Sequence, residues 1–450
     1  VIIKYTKLLI SYRQHIKETI KLAFPISVGQ LGHIMMGVVD SLMVGKIGSA
    51  SLAAASLVNG LFFLIVVLGF GMTLAIAPLI AISKGEKNLK ECGKILNHGI
   101  LVNLIFSLIL MALVIILSYF IPLMNQPPEV TELSISYLQI LSLSIIPFII
   151  FSCYRQFLEA LSLPNPPMWI ALAANILNVF LNWLLIFGNL GFPQLGLDGA
   201  GFATTLTRWT MMFFLMYYVL KNQKLKDYSP KLKFDNIDYN LIKKITSVGI
   251  PSGFQYFLEV GAFSFATIMV GWLGKIPLAA NQIALNLASI SYMVILGISF
   301  AGTVRVGTAL GEKNFIKVRR SGFSAIFLTT SIMFCFGLVF IFFRKAIPLI
   351  YIDDSKVIAV ASNLLIIAAM FQISDGLQAT GIGILRGLTD VKIPLILSFG
   401  AYWLLGIPSG YLFGIILNLG AVGVWLGSFV GLTSLGVILL FRFHVKSKYL

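Results

Sequence analysis

Twelve apolar runs follow one another along this chain, at about 22–46, 52–82, 95–121, 134–160, 167–188, 199–220, 246–272, 278–304, 321–347, 357–385, 393–416 and 420–442. Each has the length, roughly 20 residues, that carries a helix across a hydrocarbon core. In lipid a spanning segment must satisfy its own backbone N–H and C=O groups, which a helix does. The expected fold is therefore an all-α polytopic membrane protein with twelve transmembrane helices. Composition agrees: 58% of residues are hydrophobic and 11% charged, whereas soluble domains carry about a quarter charged. The first 21 residues hold Lys4, Lys7, Arg13, Lys17 and Lys21 without a separate short apolar region and cleavage site, so no cleavable signal peptide is expected. Cys92, Cys153 and Cys335 are scattered and odd in number, which indicates no disulfide framework and no metal cluster.

A formal net charge of +16 could suggest a nucleic-acid partner. The placement of the charge excludes it. Lys and Arg collect in the N-terminus, loop 83–94, the segment 221–244, loop 305–320, the turn 386–392 and the C-terminus, with Arg155 bordering another connection of the same parity. Lys46, Lys275, Arg344, Lys345 and Lys356 fall on the other side, and Arg208 lies inside a run. By the positive-inside rule both termini are cytoplasmic. The expected chain crosses its membrane many times, as a monomer in contact with lipid.

The polar segment KNQKLKDYSPKLKFDNIDYN divides the chain near its middle, and the halves repeat. Pro25 matches Pro251, Gly45 matches Gly271, and Leu52-Ala53-Ala54 matches Leu278-Ala279-Ala280. Gly85-Glu86-Lys87-Asn88 matches Gly311-Glu312-Lys313-Asn314, all in one register of 226 residues. Further on, Leu161 and Pro167 precede Leu388 and Pro394 by 227. Six runs per half is an even number, so both halves enter the membrane in the same orientation. The expected domains are an N-terminal six-helix lobe at 1–220, a cytoplasmic linker at 221–245 and a C-terminal six-helix lobe at 246–450. Such a parallel repeat predicts a substrate path between two bundles.

Three acids lie inside the apolar runs: Asp40, Glu259 and Asp375. A carboxylate at mid-membrane costs roughly 2.5–3.5 kcal/mol or more, so each needs a partner, a wet cavity or a bound cation. The repeat does not carry them, since position 266, equivalent to Asp40, is alanine. Two of the three sit in the C-terminal half, which makes that lobe the expected place of ion coupling. Gln282, Asn286 and Tyr292 polarise the eighth run, and Asn175, Asn178 and Asn182 form an amide stripe on the fifth. Such amides either contact ligand or join helices; Gln282, Asn286, Tyr292, Asn178 and Asn182, with Phe371, are the candidates for lining a substrate cavity. His33 shares a helix face with Asp40 and could relay protons. Arg208 reads as structural.

These motifs resemble the multidrug and toxic compound extrusion (MATE) family over essentially the whole chain. The residues that carry the resemblance are AFPISVGQL (23–31), VVDSLMVGKIG (38–48), LEVGAF around Glu259, RVGTALGEKN (305–314) and FQISDGLQATGIGILRGLTDVKIP (371–394). The resemblance is strongest to the bacterial sodium-coupled branch. It implies the cytoplasmic (inner) membrane of a bacterium and a cation site for Na+ or H+ at Glu259 and Asp375, with Asp40, the N-lobe acid, as a further coupling-ion residue. Two departures bear on this. A tyrosine found in some members four residues before the tenth-helix aspartate is Phe371 here, which offers a ring face and no oxygen. The fifth-helix Asn178 is followed four residues on by Asn182, where the proton-driven prokaryotic branch has an aspartate. The second change weakens an N-lobe proton site and favours the C-terminal lobe.

The expected function is a cation-coupled antiporter exporting amphipathic, mostly cationic organic compounds, with no cofactor beyond the coupling ion. A flippase for a lipid-linked saccharide is the alternative. Its pyrophosphate cargo calls for several cavity arginines or lysines, whereas intramembrane acids outnumber Arg208. An intramembrane protease is disfavoured because ISDGL around Asp375 lacks the GxGD context, and no His/Glu metal motif occurs. Nothing resembles a channel filter.

Overall fold

The structure, a computed structural model, describes residues 2–229 and 237–450, with side chains from Tyr12 onward. Part of the expected linker, residues 230–236, lies outside the described residues. The described chain is helical, with no strand among its elements. Twelve long helices are α1 (Ile2–Gly45), α2 (Ser49–Gly85), α3 (Leu89–Ser118), α4 (Pro128–Ala160), α5 (Asn165–Phe187) and α6 (Gly196–Lys221), then α7 (Tyr239–Gly271), α8 (Lys275–Gly311), α9 (Phe315–Phe342), α10 (Ser355–Gly387), α11 (Lys392–Ile416) and α12 (Gly420–Lys448). Eleven are apolar and long enough to cross a membrane over an 18-residue window. The exception is α6, whose 26 residues are long enough but include Asp198, Arg208 and a cluster of threonines. Tight turns interrupt α2 at Leu74–Ala75 and α4 at Leu143–Ser144, and α11 contains π-helical turns.

The repeated G-E-K-N motif is a helix-to-helix turn. Lys87 and Lys313 adopt left-handed φ values of 61° and 56°. Asn88 and Asn314 then cap the next helix, their side-chain oxygens accepting from the backbone N–H of Glu91 (3.3 Å) and Lys317 (3.0 Å). A left-handed residue ends one helix and an asparagine satisfies the free donors of the next. This accounts for the match between the halves at these positions.

Compact packing divides the chain into Val28–Gly253 and a discontinuous unit of Val1–Ser27 with Phe254–Leu450. This departs from the expected lobes at 1–220 and 246–450. Both boundaries fall inside helices, two residues beyond the equivalent Pro25 and Pro251. Each proline removes one helical hydrogen bond, and α1 and α7 change packing partners just past it.

Within Val28–Gly253, α2, α3 and α4 share an apolar core that includes Val58, Phe62, Leu110, Val114 and Tyr137. There α6 packs on α4 and α5. In the second unit α10 is central, with α8, α9 and α12 packed around it. Hydroxyls join these helices. Ser299 donates to the Ala379 carbonyl and Thr303 to the Gly383 carbonyl, each at 2.7 Å. Thr329 and Thr380 pair at 2.7 Å. Gly383 makes the approach possible, because a Cβ there would lie 2.6 Å from the Ser299 carbonyl oxygen.

Candidate functional site

Glu259 on α7 is 5% exposed. It accepts from the Tyr292 hydroxyl of α8 at 2.8 Å and from the Gln378 amide of α10 at 3.2 Å. Asp375 is also 5% exposed and interacts electrostatically with Glu259. It lies three residues before Gln378, and that spacing puts both on one face of α10. Unlike Glu259, Asp375 accepts no hydrogen bond from the described side chains or backbone.

Two further oxygens lack donors. The Gln378 side-chain carbonyl and the Tyr402 hydroxyl of α11 are buried with no partner among the described residues, and Tyr402 feels the charge of both acids. Buried polar atoms left unpaired are costly. A proton or small hard cation, which takes oxygen ligands, would satisfy carboxylates and neutral oxygens together.

The other C-terminal candidates lie elsewhere. Phe371 is buried against Trp425, with ring centroids 5.2 Å apart. Gln282 and Asn286 are exposed and meet only each other, at 3.5 Å. The buried amide of α8 is Asn281, which accepts from the Trp425 indole N–H at 2.7 Å. One residue along a helix is about 100° of rotation, enough to exchange an inner for an outer face.

In the first unit, Asp40 accepts from Asn182 at 2.6 Å and from Thr204 at 2.8 Å, and Asn182 also donates to Asn178 at 3.2 Å. Asp40 and the α5 amide stripe do meet, joining α1, α5 and α6. Thr204 and Gln378 carried no signal in the sequence, because neutral polar residues are common in packed membrane helices. His33 makes no bond to Asp40; its ring stands edge-on to Phe148 and Phe151, with centroids 6.0 and 5.9 Å away. By the repeat, His33 and Phe148 occupy the positions of Glu259 and Asp375. The first unit holds no second copy of the acid pair.

Arg208 donates to Ser144 at 2.7 Å and lies over the rings of Phe62 and Phe148. Arg155, Arg305 and Arg386, assigned to loop sides from the sequence, are buried. Among the described residues the buried acids, Asp40, Glu159, Glu259, Asp375 and Asp390, still outnumber these buried bases. Arg305 and Arg386 are buried because α8 and α10 continue to Gly311 and Gly387, past the apolar runs.

The MatE family model matches residues 25–184 and again 251–412, one match in each half. The chain is 31% identical over 443 residues to the multidrug resistance protein NorM of Photobacterium profundum, covering 96% of each. It is 33% identical to a probable multidrug resistance protein NorM of Bradyrhizobium diazoefficiens, over 96% of this chain and 94% of that one. In fold it is similar to the Vibrio cholerae MATE transporter VcmN (TM-score 0.90, 17% identity, 98% of each chain). It is also similar to the eukaryotic MATE transporter AtDTX14 (TM-score 0.88, 20% identity, 97% and 98%). A double family match in register with the internal repeat, relatives aligned end to end and the shared twelve-helix fold lead to one assignment: the chain belongs to the MatE family and has the fold of the MATE transporters.

Proposed function

We propose that this protein is a multidrug exporter of the cytoplasmic membrane, both termini inside, driven by entry of Na+ or H+ and carrying mostly cationic, amphipathic organic compounds. The observation that carries the reading is the Glu259–Asp375 pair, buried with donor-free oxygens from Gln378 and Tyr402 around it. Relatives named for multidrug resistance support export of organic compounds over a saccharide-lipid flippase.

Exchange follows from competition. A carboxylate in a low-dielectric interior attracts an inorganic cation and an organic cation alike, so arrival of the ion removes the attraction that held the cargo. Each ligand shifts the balance between inward- and outward-open states by its differential affinity for them. The driving force suffices. One monovalent ion crossing 100 mV yields about 2.3 kcal/mol, and a tenfold gradient adds about 1.4 kcal/mol. With one-for-one exchange against a monovalent organic cation, the potential cancels and the chemical gradient remains.

The test is uptake of a fluorescent organic cation by everted vesicles, with Na+ and pH gradients imposed separately. One gradient should drive uptake, and an isosteric neutral compound should move poorly. Equal transport of both compounds, or transport indifferent to both gradients, would contradict the reading.

A further inference from the structure

One buried base in the second unit has no hydrogen-bond or ion-pair partner among the described residues. Arg386, 1% exposed, lies in the last turn of α10, and its Nε and Nη1 meet no acceptor among the described residues. Other buried arginines are held differently: Arg305 pairs with Glu18 at 2.7 Å, and Arg155 donates to Gln30 at 3.0 Å. Arg386 has only a ring, its guanidinium carbon standing 5.8 Å from the centroid of Tyr256. A cation–π contact does not offset the desolvation of a buried charge by itself. A negative charge in the unit would offset that cost.

The helices show which one. Arg386 follows Gln378 by eight residues, about 12 Å along the axis of α10. Helical side chains lean towards the N-terminus, so Arg386 leans back towards the level of Gln378, which holds Glu259. Tyr256, under the guanidinium, precedes Glu259 by three residues on α7, just under one turn. Arg386 and Glu259 interact electrostatically. Helix packing does not demand the positive charge, since the repeat places Glu159, also buried, at the position equivalent to Arg386.

We propose that Arg386 is a tethered counter-cation for Glu259, offsetting the carboxylate when no transported ion is held and so setting how readily that ion leaves. The proposal rests on Glu259 being part of the coupling site. With the ion bound, Glu259 is neutralised directly and Arg386 opposes the ion through space. With the ion gone, Arg386 and Glu259 balance each other. The residue acts through Glu259 and does not touch the cargo.

The fold supplies a reporter, because the Trp403 indole donates to the backbone carbonyl of Leu258, beside Glu259. Tryptophan fluorescence of the purified full-length protein would be titrated with NaCl, and with pH in the absence of Na+. Arg386→Gln should bind Na+ or protons roughly tenfold more tightly, the effect of removing one like charge at such range. Ion-driven efflux should slow accordingly. Arg386→Lys should return the midpoints towards wild type, and in a Glu259→Gln background the Arg386→Gln shift should vanish. A folded Arg386→Gln with unchanged midpoints, or the same shift without Glu259, overturns the proposal while leaving the coupling site standing. Should Arg386→Gln not fold, Tyr256→Leu is read instead, with a smaller shift in the same direction expected and no shift overturning the proposal. If Glu259→Gln leaves both titrations intact, the coupling-site reading fails and this proposal with it.

Discussion

Asp40 and Asp375 are the same residue type in equally buried surroundings, and their donors separate them. Asp40 accepts from Asn182 and Thr204, while Asp375 accepts from no described group. Hydrogen bonds to a carboxylate stabilise its charged form, so Asp40 needs a bound cation less than Asp375 does. The positions of both acids were legible in the sequence, because a charge amid apolar residues stands out. Their partners were not, since Thr204 and Gln378 resemble dozens of neutral residues until the helices are assembled. Binding of an organic cation should also respond to pH. A proton neutralises the carboxylate that attracts the cargo, so affinity should be full where Glu259 and Asp375 are ionised and fall as the solution is acidified. Tryptophan quenching with a cationic and a neutral analogue checks this: the cation's affinity should drop at low pH and the neutral compound's stay level.

At the scale of elements, α10 organises the second unit and brings Asp375, Gln378 and Arg386 onto its buried length. Its approach to α8 is set at Gly383, against the Ser299 carbonyl. Gly383→Ala should sharply reduce the yield of monodisperse protein on size-exclusion chromatography, because backbone rather than a yielding side chain blocks the new methyl. Gly60→Ala, where nothing lies within 4 Å, should leave the yield unchanged. Spans were readable from apolar length, and the G-E-K-N turns from their recurrence. The rotation of each helix was not. Asn281, the buried amide of α8, did not stand out beside Gln282 and Asn286, because a nearly uniformly apolar helix gives little signal for the face that packs inward. Helix ends were missed for a related reason. Arg305 and Arg386 mark the edge of an apolar run, and the helices bury them beyond it.

For the whole molecule, the repeat announced two halves, and the packing puts their boundaries just past Pro25 and Pro251 rather than in the linker. Sequence composition favoured the polar linker because charge changes there, whereas a helix that changes packing partners leaves no compositional trace. The proposed orientation has a direct check. With the exposed Cys335 replaced by serine, and Cys92 and Cys153 buried, a cysteine at exposed Asn125 should react with an impermeant thiol reagent in intact cells. One at exposed Lys226 should not. The central claim is that coupling resides in the acid pair of the second unit and not at Asp40. Its most direct test is ion-driven efflux of an organic cation from proteoliposomes, under whichever gradient drives the wild type. Glu259→Gln and Asp375→Asn should each abolish the driven component at normal protein yield, and Asp40→Asn should retain it. Driven efflux that survives in the Glu259→Gln/Asp375→Asn double variant but is lost in Asp40→Asn would contradict the account.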